Sequence, residues 1–97
     1  LSGAEPPSFP DTESTFAQLK ERVAKAHAHI KDLDRAKIDA SPEGDITVPM
    51  RDQAMTMRRH QFLQNFILPN VYFHVTAAYL NLRNAGVPLG KSDFLAR

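Results

Sequence analysis

The sequence predicts a mainly α-helical chain, two helices of a bundle with a short β-hairpin between them. Three observations carry that expectation. Phe16, Leu19, Val23, Ala26, Ile30 and Leu33 recur at spacings of three and four, the period of one helical face. The stretch from Arg58 to Ala85 is apolar around most of a helical circumference, which suits a place near the centre of a bundle. Between them Ile46, Val48 and Met50 alternate with Thr47 and Pro49, the period of a strand.

Taken in order, Pro6, Pro7 and Pro10 deny the first 11 residues a regular helix and predict an extended leader. Asp11 or Thr12 is then placed to cap a helix over 12–34. Its apolar seam is narrow, and Lys20, Glu21, Lys25, Lys31 and Asp32 fall mostly outside it. His27 flanks the seam and His29 points away, and a spacing of two does not bring both rings to one ion on a helix.

Residues 34–45 are polar and punctuated by Pro42 and Gly44, which predicts a loop. A hairpin over 46–57 follows, with Pro49 confining it to an edge and no Asn-Gly turn to close it. The helix over 58–85 carries one stripe through Phe62, Phe66, Pro69, Phe73, Thr76 and Leu80. Pro69 has no N–H for Asn65 and its ring crowds the preceding turn, so a kink or short break belongs there. Gly86 is a candidate C-cap with Pro88 beyond it, and the tail 86–97 carries Val87, Leu89, Phe94 and Leu95, apolar enough to fold back.

Length and composition narrow the function. At 97 residues the chain is one domain at most, with 42% apolar and 24% charged residues. Its formal charge of +1 lacks the basic stripe of a nucleic-acid binder. No apolar run reaches the roughly 18 residues of a membrane span, and residues 1–13 lack the pattern of a secretory signal. Without cysteine there is no disulfide, thiolate nucleophile or sulfur ligand, and a cytoplasmic address is the default.

One pair carries candidate chemistry. Asn70 and His74 stand four residues apart, on one side of a helix just after Pro69. A neutral imidazole is a good ligand for zinc or nickel and an amide oxygen a poor one. Catalytic zinc takes three protein ligands and one open position. The pair reads either as the remains of a metal site or as a hydrogen-bonded histidine beside an asparagine that serves the backbone freed by Pro69.

The runs LPNVYFHVTAAY and GVPLGKSDFL, with the leader GAEPPSFPDTESTFAQLKERV and the strand ITVPM, resemble an uncharacterised bacterial and fungal family of the DinB-like superfamily. The resemblance covers nearly the whole chain. It implies an up-and-down four-helix bundle, often dimeric, of which these residues would supply helices three and four and the hairpin between them. Members carry a further helical hairpin upstream, so the chain resembles the C-terminal part of such a domain. Metal-binding members hold three histidines at the bundle centre, two of them as HxxxH on the fourth helix. By the resemblance His74 matches the second of that pair, Asn70 replaces the first, and the third would come from the second helix.

Two functions follow as expectations. One is a non-catalytic, metal-free module for association or small-ligand binding, with Asn70, Tyr72 and Tyr79 toward the ligand. Its partners would be a second copy, as a homo-oligomer, or the remaining half of the domain, with no nucleic acid and no membrane. The alternative is a thiol transferase or isomerase using a divalent metal, zinc or nickel, held by His74 with Asn70 as ligand or substrate donor.

Overall fold

In a computed structural model, residues 1–40 and 43–95 are described; Pro42 of the predicted loop and the last two residues of the tail lie outside them. The chain divides into two compact units, Leu1–Pro42 and Glu43–Arg97.

In the first unit, α1 spans Phe16–Lys31 and α2 spans Arg35–Asp39. The cap of α1 is Thr15 rather than Asp11 or Thr12. Thr15 Oγ1 accepts from the Gln18 N–H at 3.3 Å, and Gln18 Oε1 accepts from the N–H groups of Thr15 and Ser14 at 3.1 and 2.8 Å. This reciprocal box satisfies donors that a start at residue 12 would leave without partners. At the other end the helix stops three residues before the expected position. Asp34 turns its carboxylate onto the N–H groups of Ala36 and Lys37, at 3.0 and 3.4 Å, and so starts α2. A short acidic side chain competes with the helix for backbone donors, and here it prevails. The polar stretch after residue 34 therefore holds a short helix, not only a loop.

In the second unit, β1 (Asp45–Pro49) and β2 (Ala54–Arg58) pair antiparallel. The register sets Ile46 opposite Met57 and Val48 opposite Met55 on one face, all half-buried. Thr47 and Thr56 meet on the other face with their hydroxyls 2.8 Å apart. Without an Asn-Gly pair, four residues close the turn, and the Met50 N–H donates to the Gln53 carbonyl at 2.7 Å. Pro49 sits at the last position of its strand, where a missing N–H interrupts no ladder.

The chain enters α3 (Arg59–Phe62) directly from β2, passes through one π turn over Leu63–Ile67, and continues as α4 (Leu68–Asn84). The π turn is the form taken by the discontinuity that Pro69 imposes. The Leu68 N–H reaches back five residues to Leu63, and Pro69 falls in the first turn of α4, where a missing donor matters little. α3 lies against both strands, and its Phe62 is the one buried apolar side chain among the described residues, 8% exposed and stacked on Phe66 at 5.0 Å.

α4 ends in a Schellman motif. Val87 donates to Leu82 and Gly86 to Arg83, both at 3.0 Å, with Gly86 at φ 88°. The tail then forms α5 (Lys91–Phe94), started by the Gly90 N–H donating to Asp93 Oδ2 at 2.7 Å, and returns the Phe94 ring edge-on to Tyr79 at 5.6 Å.

Two corrections follow. The all-α four-helix bundle is replaced by a mixed architecture, mainly helical but containing a two-stranded antiparallel sheet, with the second unit's buried phenylalanine on the helix that meets the strands. The alternation at 46–50 and its return at 54–58 decide this, because half-buried residues on one face of a hairpin need a helix laid across them. Secondly, the apolar stripes are covered only where the second one starts, at Phe62 and Phe66: Phe16, Val23 and Ile30 of α1 and Phe73 and Leu80 of α4 are all exposed.

Candidate functional site

Asn70, Tyr72, His74 and Tyr79 all lie on α4. Regular α-helical geometry from Leu68 onward keeps Asn70 and His74 on one face, a turn apart. Both are exposed, as is Tyr72. His74 meets the ring of Phe73 edge-on at 5.3 Å. Among the described residues no three His, Asp or Glu side chains converge as ligands would. The structure thus places Asn70 and His74 on one face of α4 and, among the described residues, brings no third donor to them.

Tyr79 has different surroundings from its neighbours. Its hydroxyl accepts from Arg83 Nη1 at 3.2 Å, the same guanidinium lies 5.8 Å from its ring centre, and Phe94 closes its edge. Arg83, one turn on, and the returning tail hold this ring in place, so it ties tail to helix.

What dominates α4 is the surface it offers. From Leu68 to Leu82 there is no charged residue. Leu68, Val71, Tyr72, Phe73, Val75 and Leu80 are all exposed there. Phe73 is 68% and Leu80 59% exposed, two full turns apart on one stripe, with the smaller Thr76 and Ala77 between them. These residues lie around the helix, Phe73 and Leu80 on one side and Leu68, Val71 and Val75 on the other. α4 thus offers an uncharged aromatic and aliphatic surface on more than one side, with the composition of an interface centre.

In the first unit the sequence hid one cluster. Arg22, off the apolar seam, donates from Nη1 to Asp11 and Glu13, both at 2.8 Å, and from Nη2 to the Phe9 carbonyl at 3.4 Å. The guanidinium also lies 5.8 Å from the Phe9 ring centre. These contacts bind the leader to α1. Glu13, its side chain 15% exposed, has its carboxyl held below the usual range, first by a hydrogen bond from its own backbone N–H and then by Arg22, against an opposing push from burial. Arg22 is pushed up by Asp11 first and Glu13 second. The signal that would have found the cluster is the Thr-x-x-Gln box at 15–18, which moves the helix start past Asp11 and Glu13 and leaves both in the leader.

No helix of the described residues is long and apolar enough to cross a membrane. Neither the curated proteins nor the solved structures contain a match to the chain. The family described as Domain of unknown function (DUF1993) matches residues 1–95, and this protein belongs to that family.

Proposed function

We propose that this protein works by association, joining a second copy of itself through the charge-free surface of α4, and that this work needs no metal. The observation that carries the reading is the uncharged apolar surface that α4 leaves exposed, with Leu68, Val71, Tyr72, Phe73, Val75 and Leu80 on it.

The donor chemistry favours the metal-free half of the reading: one imidazole and one amide, an amide oxygen being a poor ligand, make a weak site. On this reading the kinship is with the DinB-like superfamily, in the cytoplasm, with asparagine standing where metal-binding relatives carry a histidine. Asn70 and Tyr72 are the exposed side chains left to meet a small ligand.

Sedimentation equilibrium of the 97-residue chain tests it. The expected mass is twice the 10.9 kDa of one chain across the micromolar range, unchanged by a chelator. A mass that stays at 10.9 kDa at every concentration would overturn the proposal.

A further inference from the structure

The methionines of the chain are Met50, Met55 and Met57, all at the hairpin, and with no cysteine they are its only sulfur. Met55 and Met57 stand on one face of β2, opposite Val48 and Ile46 of β1. All four side chains are half-buried, whereas Thr47 and Thr56 on the other face are exposed. α3 lies against both strands and carries Phe62, the one buried apolar side chain among the described residues. Half of the apolar face that the hairpin sets under this helix is therefore thioether. Met50, in the turn, is 49% exposed and lies outside the paired positions.

We infer that Met55 and Met57 form a redox-sensitive latch, through which a hydroperoxide releases the hairpin from α3. A thioether lone pair attacks one peroxide oxygen, so that an S–O bond forms as the O–O bond breaks. The second oxygen leaves and, once protonated, is water or an alcohol. Sulfur loses two electrons, the peroxide gains them, and the methionine becomes a sulfoxide. The sulfoxide oxygen is a polar acceptor, and a face of isoleucine, valine and methionine side chains offers it no donor. Water supplies one when the face parts from α3. The unit's one buried ring among the described residues sits at that same contact, so its packing goes with the latch.

Hydrogen peroxide applied to the whole chain tests this, with mass spectrometry of each methionine and thermal melting in parallel. Met50 should oxidise first and leave the melt unchanged. Oxidation of Met55 and Met57 should follow and lower the melting midpoint by at least about 5 °C. Methionine sulfoxide reductases acting on both epimers should restore it. The Met55→Leu, Met57→Leu double variant keeps the side-chain volume and removes the sulfur, so its melt should ignore peroxide. The parent's oxidation, site by site against its melt, tests the latch without any variant. Equal falls in parent and double variant overturn the proposal, as does oxidation of Met55 and Met57 with no fall. Met55 and Met57 left intact where Met50 is fully converted overturn it too. So does a fall that the reductases do not reverse, which marks damage in place of a switch.

Discussion

At the scale of single residues, the positions with a backbone task were the easiest to read in advance. Gly86 is the clearest. Its φ of 88° lies in the left-handed region, and a Cβ built there meets nothing within 4 Å. Gly86→Ala should therefore cost about 1 kcal/mol through the backbone alone, seen as a lowered denaturant midpoint with an unchanged slope. Asn70 tests the neighbouring chemistry. On an exposed, regular helix Asn70→His creates an i, i+4 histidine pair facing one direction. The variant should bind nickel in calorimetric titration and lose it as pH falls below about 6.5, because a protonated imidazole cannot ligate. The parent should give no saturable heat. A variant that stays folded and binds no nickel would show that the two side chains do not converge. Tyr79 marks where residue-level reading stopped: the sequence set it toward a ligand and did not show that Arg83 holds its hydroxyl and Phe94, 15 residues away in sequence, its ring.

At the scale of elements, periodicity located the helices and strands but not what covers them. The seam of α1 is regular, yet within the helix Ala26 is its one half-buried member, and the other half-buried positions are Arg22 and His29 beside it. A sequence pattern records which face is apolar. It does not record that an arginine beside that face will clasp a leader carrying Asp11, Glu13 and Phe9. That clasp has a pH dependence of definite sign. Glu13 is held below its ordinary value of 4.5 in the folded chain, so it binds protons less readily folded than unfolded. Its stabilisation is present above the unfolded value and lost as pH falls through the folded one. Proteolysis within residues 1–14 should accelerate in acid below about pH 4.5 and with added salt, which screens exposed pairs. Glu13→Gln should open the leader already at neutral pH and flatten its acid response. Equal acid sensitivity in both proteins would remove Glu13 from the clasp.

At the scale of the whole molecule, two phenylalanines separate folding from association. Phe62 is the buried one, and Phe62→Ala should destabilise the second unit by roughly 3–5 kcal/mol at any protein concentration, as loss of a core ring does. Phe73 is exposed in the single chain, so Phe73→Ala leaves no internal cavity. Its cost should appear only where copies meet, as a melting temperature that loses its dependence on concentration. Melting curves of both variants over a wide concentration range would distinguish them, and a concentration-independent loss of several kcal/mol for Phe73→Ala would place that ring in a core. The sequence showed both rings on one stripe and gave no means of telling them apart. The distinction arises because the hairpin covers the start of the helix, where Phe62 sits, and stops short of Phe73.

The π turn between those rings acts as an angular spacer. It holds one residue more than an α-turn would, so it sets the rotational phase between the ring anchored at the hairpin and the stripe presented by α4. Deleting Gln64 would let the helix close as a plain α-helix with the facing of Phe73 and Leu80 nearly kept, because the wide turn already takes up its extra residue within one circuit. A change that closed the turn as α-helix without removing a residue would instead swing everything after it by about 100° relative to the strands. The hairpin, α3 and the Schellman stop would survive either change. The wide turn thus works as a phase corrector, and side chains counted at regular helical spacing from Phe62 arrive about a quarter turn from where the count puts them.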